Sequence, residues 1–526
     1  MDRLDTPDVF IPDLIANHAR FQPAKEAVVC GTVRRSWGDF DARISRVAHA
    51  LLAAGLQRGD RVAVLMGNCV EMLEAVFGIV RAGGCAVPLS GLLTGEQLAA
   101  LIADSGAIGA FATADFRARL AGLEALPPCL RGDLRIAADP PSAADGEAPA
   151  TEAGWTPLST FIAGRPATQP AVTYRLDDPF NIIYSSGTTG LPKGIVQTHR
   201  ARLHWAFSNA IEMGFRDTSR ALTTTSLYSN GTWLMMLPVL FTGGTLVAMP
   251  VFDPERFAAL LGEERITHTF MVPSQFIAVL AHPAIAGADT TALQTILCAG
   301  SPLRPDTKRA AIGCFGNRLI ELYGFSEGFA TMLKPWHPAS KFETVGTPVL
   351  GFEIRILDEA GNALPRGEVG EIAGYGAGLM AGYHGRPEET ARLIWRDERG
   401  RSFIRSGDIG RLDEDGFLSI LDRKKDMIIS GGFNVFPSDL EQVVGAHPAV
   451  MDVTVIGIPH DRWGETPLAL VIPRPGASAT PEAVRDWANE RLGKHQRLAA
   501  VEFRDAFPRN ALGKVLKKDL RAPYWG

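Results

Sequence analysis

Eleven residues, Tyr184 to Gly194, read YSSGTTGLPKG and hold two serines, two threonines, three glycines and one lysine. Glycines let successive backbone N–H groups curl around an anion, and here Gly187 and Gly190 stand among the hydroxyls. Ser185, Ser186, Thr188 and Thr189 add donors, and Lys193 adds a positive charge. A loop of this composition suits a polyphosphate. It is not a Walker A loop, because no Gly-Lys-Ser/Thr closes it. The bland alternative is a flexible glycine turn, and the density of hydroxyls beside a lysine argues against that. Further down the chain, ELYGFSE (321–327) sets an aromatic, a glycine, a hydroxyl and a carboxylate at a strand end. Strand carboxyl ends are where open α/β sheets bind ligands.

The first loop resembles the signature of the adenylate-forming superfamily, roughly [ST]SG[ST]TG-x-PKG, matched at every position. That superfamily holds acyl-CoA synthetases, nonribosomal-peptide adenylation domains and luciferases. Other segments match in order, so the resemblance covers nearly the whole chain. ILCAGSPLR (296–304) is similar to the adenine-binding turn, which puts Gly300, Ser301 and Pro302 at the base. The resemblance sets Tyr323 and Gly324 beside the adenine, Ser326 at the α-phosphate and Glu327 on Mg²⁺. One carboxylate plus substrate phosphates is the usual way to hold that ion. Ser406 takes the threonine place of the TGD-type motif, and Asp408 and Arg423 are implied at the ribose. Lys425 falls at the family's hinge, and Lys424 reads as part of a solvated charge run. FPRNALGKVLKK (507–518) resembles the C-terminal PR-x-x-x-GK motif and makes Lys514 the catalytic lysine of the first half-reaction, alongside Lys193 and Glu327.

The implied chemistry has two steps. A carboxylate attacks the α-phosphorus of ATP and displaces pyrophosphate, and a thiol then takes the acyl group while AMP leaves. ATP, Mg²⁺ and coenzyme A are the implied cofactors and co-substrates. For coenzyme A the resemblance points to Gly431, Gly432, Trp463 and Arg497, with Lys494 nearby. The proline that ends the family's basic stretch is missing from GKHQRL (493–498). Tyr228, Ser229, Ser274, Phe325 and Phe329 are the expected walls of an acyl pocket. Ser229 stands where many acyl-CoA synthetases carry histidine. FMVPSQFIAVL (270–280) has no Arg or Lys to pair with a second carboxylate. The expected acid is therefore hydrophobic, aliphatic or aromatic. The alternative reading is a stand-alone adenylating enzyme that loads a carrier-protein phosphopantetheine. A dinucleotide dehydrogenase is rejected, because GYGAG (374–378) is an incomplete G-x-G-x-x-G among short strands.

The elements that must position these residues read as α/β. RVAVLMG (61–67), a helix over 69–83 and CAVPLS (85–90) make a parallel βαβ unit. Strand 245–252, helix 253–266 and strand 267–273 repeat the pattern, and 293–300 and 317–324 continue it. Segment 138–157, rich in Ala, Pro, Gly, Asp and Glu, reads as a surface connector. From about Val345 shorter strands and tight turns suggest a small β subdomain. Helices around 437–446 and 481–493 mark a second domain. The expectation is a large N-terminal domain, 1–424, of mainly parallel sheets with helices plus that β subdomain. A smaller α+β domain, 425–526, follows, and the resemblance implies that it is mobile.

With 526 residues the chain is long enough for several cores. A net charge of -5 supplies no basic field for nucleic acid. The stretch between Arg220 and Asp253 lacks charge, but Pro238, Gly243 and Gly244 interrupt it. It reads as a buried helix and strand, not as a membrane span. The acidic, proline-broken start is unlike a signal peptide, so a cytoplasmic enzyme is expected. Cys30, Cys69, Cys85, Cys129, Cys298 and Cys314 include no CxxC pair and read as reduced core thiols. A homodimer is one arrangement that the sequence leaves open.

Overall fold

The computed structural model describes residues 7–140, 154–185, 192–431, 433–509 and 515–525. The chain separates into two compact units. The first comprises Met1–Pro335, Pro348–Phe352 and Tyr375–Arg392, and the second comprises Trp336–Thr347, Glu353–Gly374 and Leu393–Gly526.

In the first unit the strand Arg61–Leu65, the helix Val70–Arg81 and the strand Cys85–Pro88 form the expected parallel crossover, with Arg61 opposite Cys85. Every residue of that helix is buried. The neighbouring helix Trp37–Ala53 approaches so closely that a Cβ on Gly78 would stand 2.4 Å from Val47 Cγ1. Among the described residues this unit carries an eight-stranded and a nine-stranded sheet. In the larger one the strands Thr245–Ala248, Arg220–Thr223, His268–Met271, Thr295–Cys298 and Leu319–Gly324 are parallel neighbours in that order. The strands at 245 and 268 are therefore not adjacent, because Arg220–Thr223 lies between them. That strand is four residues long and runs into the polar segment TTSLYS, so it carries no long apolar run.

The uncharged stretch is the buried helix Asn230–Thr242 followed by the buried strand Thr245–Ala248. Gly243, at φ 78°, ends the helix in the left-handed conformation that glycine adopts without strain. Among the described residues no helix is long and apolar enough to cross a membrane.

The second unit is built on antiparallel strands. Leu418–Arg423 pairs with Ser402–Leu412, and Val450–His460 pairs with Gly464–Pro473. The helices Pro437–Gly445 and Pro481–Asn489 bury Leu440, Val444, Val484 and Ala488 in one core with Ile428, Val455 and Val471. Each of these Val, Leu and Ile side chains contributes about 1.5–3 kcal/mol when fully buried.

All six cysteines are free. Cys30, Cys69, Cys85 and Cys298 are core thiols and Cys129 is half-buried, but Cys314 is exposed. The helix Pro305–Phe315 turns Lys308, Ala311 and Phe315 inward, which leaves Cys314 on the outer face.

Candidate active site

The structure gives the neck of the loop 184–194. Ser186, Gly187, Thr188, Thr189 and Gly190 lie outside the described residues, as do Gly432 and Lys514. The arms Pro179–Tyr184 and Gly194–Thr198 pair antiparallel, with Tyr184 opposite Gly194. Ser185 N–H donates to the Lys193 carbonyl at 3.0 Å, and Lys193 N–H returns a bond to Ser185 Oγ at 3.3 Å. Tyr184 Oη donates to Asp104 Oδ2 at 2.7 Å, which anchors the arm.

Lys193 Nζ sits 2.5 Å from Glu389 Oε2 and 4.9 Å from the centre of the Tyr383 ring. Tyr383 Oη donates to Glu327 Oε1 at 2.8 Å. Burial, then the charge of Glu327, pushes the Tyr383 phenol well up, so it keeps its proton and donates. Lys193 and Glu327, far apart in sequence, are thus joined through one tyrosine. Tyr383 and Glu389 escaped the sequence reading. They lie in GYHGRPEET (382–390), just after the stretch weighed as a dinucleotide loop, and no motif spacing marks them.

Glu327 projects from the turn between the antiparallel strands Leu319–Gly324 and Ala330–Leu333. The turn is braced from outside. Gln197 Nε2 donates to the Ser326 carbonyl at 2.7 Å, and Met380 N–H to the Glu327 carbonyl at 2.8 Å. Phe325 and Tyr323 pack edge-on against the buried Phe329 at 5.0 and 6.4 Å. Phe329 therefore stands behind Phe325. The turn holding Gly300, at φ 99°, follows the strand Thr295–Cys298, the parallel neighbour of Leu319–Gly324. Ser301 is half-buried and Pro302 exposed, so both expected adenine-side turns leave the same sheet edge.

Glu327 fits the magnesium role on chemistry. Its Oε1 accepts from Tyr383, while its Oε2 makes no hydrogen bond with the described residues. A single half-buried carboxylate oxygen is a hard donor that a cation shares with phosphates.

Of the acyl-wall candidates, Tyr228 and Phe325 are half-buried, and Ser229 is buried at the start of the helix Asn230–Thr242. Ser274 is exposed at the start of the helix Pro273–Ala281, beyond the strand His268–Met271.

In the second unit Asp408 and Arg423 face each other across the strand pair, Nε to Oδ1 at 3.4 Å. Gly407, at φ 72°, kinks the strand, and Ser406 Oγ accepts from Asp408 N–H at 3.0 Å. Next to them, Lys424 N–H donates to the Gly407 carbonyl at 2.9 Å, and its Nζ lies 3.0 Å from Glu371. Lys425 is exposed, and partial desolvation by its surroundings lowers its pKa. Its carbonyl accepts from Arg521 Nη1 at 3.2 Å. Asp426 N–H donates to the Arg423 carbonyl, and Ser438 N–H to Asp422 Oδ2, both at 2.9 Å.

Trp463 is 44% exposed, so it is not a core tryptophan. Arg462 stacks 4.5 Å from the centre of its ring, and Gly431 packs so tightly that a Cβ would come within 2.8 Å of it. Arg497 is exposed and lines an open groove of about 430 Å³ with Arg485, Asp486, Asn489 and Glu490.

This arrangement carries the marks of a nucleotide-activating ligase, and comparison with known proteins agrees. The AMP-binding enzyme family matches residues 15–384, and the AMP-binding enzyme C-terminal domain matches 439–514. A feruloyl-CoA synthase of an Amycolatopsis species is 34% identical over 507 residues, 96% of each chain. The fatty acid–[acyl-carrier-protein] ligase ScoC of Streptomyces coeruleorubidus is 30% identical, covering 100% of this chain and 99% of its own. The structure of ATP-bound MatB from Rhodopseudomonas palustris superposes with a TM-score of 0.85 at 28% identity, covering 98% and 99%. The chain belongs to the AMP-binding enzyme family, within the adenylate-forming superfamily.

Proposed function

We propose that the chain is an AMP-forming acyl-CoA synthetase. It activates a hydrophobic aliphatic or aromatic carboxylic acid as an acyl-adenylate, then transfers the acyl group to coenzyme A. The observation that carries this reading is the Lys193–Tyr383–Glu327 group at the neck of the phosphate loop. Lys193 neutralises phosphate oxygens, and Tyr383 aims the Glu327 carboxylate. Mg²⁺, when bound at Glu327, supplies charge neutralisation at the phosphates. Ser185, Ser186, Gly187, Thr188, Thr189 and Gly190 hold the triphosphate. Gly300, Ser301, Pro302, Tyr323 and Gly324 border the adenine, and Ser326 meets the α-phosphate. Asp408 takes the ribose hydroxyls with Arg423 beside it. Tyr228, Ser229, Ser274 and Phe325 wall the acid, backed by Phe329. In-line displacement at phosphorus asks mainly for such positioning and charge.

Residues 1–424 form the nucleotide and acid domain in this reading, and 425–526 turn about Lys425 to bring Lys514 in and out. Lys514→Ala lowers acyl-adenylate formation by about 10²–10³-fold and spares thioester formation from preformed adenylate. Exposed Trp463 stacks on the acceptor's adenine, with Gly431, Gly432 and Arg497 along its path. The enzyme works in the cytoplasm, and light scattering tests the homodimer.

Pyrophosphate release across a panel of carboxylic acids tests the first step; no release with any acid sinks the proposal. A second reading, transfer to a carrier-protein phosphopantetheine, is favoured by the likeness to the carrier-protein ligase ScoC. AMP release with coenzyme A against that with a holo-carrier separates the two.

A further inference from the structure

Arg202 carries a charge that the proposed reaction leaves unexplained. It stands on the helix His199–Met213 at 2% exposure. Its Nε donates to Asn181 Oδ1 at 2.8 Å, its Nη1 donates to Asn230 Oδ1 at 2.9 Å, and its guanidinium lies 4.5 Å from the centre of the Trp233 ring. No carboxylate of the described residues pairs with it. Burial draws its pKa down to about 9, and no acid counters that. Among the described residues its Nη2 has no hydrogen-bond partner, and neither has the Nδ2 of the fully buried Asn181.

A guanidinium only donates, so both asparagines must turn their oxygens toward it. The amide NH₂ of Asn181 is thereby left over. Both unfilled positions are donors, and the charge beside them is positive. Donors of that kind take an acceptor, and an anionic oxygen above all.

Its place in the fold connects it to the acid. Asn181 lies on the strand that leads into Ser185, and Asn230 directly follows Tyr228 and Ser229. The helix of Arg202 starts where the other arm of the loop ends, at Thr198. Arg202 thus joins the phosphate-loop strand to the acyl-wall helix.

We propose that Arg202, oriented by Asn181 and Asn230, determines specificity for an acid that carries a second, distal carboxylate. This rests on the acyl-CoA synthetase reading and narrows its acid to one with an apolar body and two anionic ends. The absence of Arg or Lys from 270–280 does not exclude such an acid, because the cation comes from a different helix.

The test measures kcat/KM for pyrophosphate release with α,ω-dicarboxylic acids of about four to ten carbons and with monocarboxylic acids of equal length, plus terephthalate against benzoate. The expected result is a preference of about tenfold or more for at least one diacid. Arg202→Met lowers that diacid's kcat/KM by about 10²-fold and leaves monoacids within about threefold. A wild-type preference for monoacids throughout, or an equal loss on all acids in Arg202→Met, overturns the proposal. If Arg202→Met does not fold, the wild-type ratio and Asn230→Ala, expected to cut the same preference, decide. Crystals grown in bromide test anion binding at Arg202 without turnover. Anomalous density at Arg202 with no diacid preference assigns the charge to a resident halide and overturns the substrate role, as does the absence of such density in an enzyme inactive on diacids. Turnover of monoacids alone leaves the synthetase reading standing and removes only this one.

Discussion

A phenol that donates to a carboxylate fixes where the carboxylate's other oxygen points. Tyr383→Phe removes that donor from Glu327 and leaves the ring under Lys193. Hydrogen bonds to charged groups contribute about 1.5–3 kcal/mol. The expected outcome is about a tenfold rise in the Mg²⁺ concentration for half-maximal pyrophosphate release, with the melting temperature nearly unchanged. A variant with wild-type magnesium dependence would show that Glu327 needs no aiming. Lys193, Glu327 and Asp408 could be singled out in the sequence, Lys193 by the composition of its loop and the other two by the resemblance of their motifs. Tyr383, Glu389 and Arg202 were not, since their partners are distant in sequence and only the fold supplies the meeting.

Asp408 is aimed by the shape of a whole strand. Gly407 holds φ 72° inside Ser402–Leu412, and its carbonyl takes the Lys424 N–H. A side chain in this left-handed conformation costs about 1–2 kcal/mol. Gly407→Ala is expected to lower stability by about that amount in urea unfolding and to raise the KM for ATP several-fold. Loss of stability with an unchanged KM would detach the kink from the proposed ribose contact. At this scale the sequence was read well where apolar runs are long, as in Val70–Arg81 and its flanking strands. The slot of Arg220–Thr223 between two other parallel strands was hidden, because strand order is set by packing and not by local pattern.

Stability of the whole chain should weaken in mild acid. Burial lowers His199, His204 and His268 each to about 4, from 6.5. His268 is held between Thr267 Oγ1 at 2.7 Å and the Met213 carbonyl at 3.0 Å, stacked on Phe215. The unfolded chain binds more protons than the folded one between about pH 4 and 6.5, so stability falls as pH drops through that window. With about 1.4 kcal/mol per pH unit, each histidine removes about 1 kcal/mol on going from pH 7.5 to 5.5. Urea midpoints at the two pH values check this, and His268→Gln should flatten the difference by about a third.

Lys425→Pro, which fixes φ at the proposed pivot, is expected to keep pyrophosphate release and block thioester formation. Unchanged overall turnover would move the pivot elsewhere. The bonds around Lys425 say what kind of movement this would be. The peptide before Lys424 is pinned by Gly407 and the peptide after Lys425 by Arg521, so rotation is confined to the torsions of these two residues. Turning also breaks the bonds of Asp426 to Arg423 and Ser438 to Asp422. Such a joint clicks between stops instead of trailing like a slack tether, and single-molecule distance records should show discrete dwell levels.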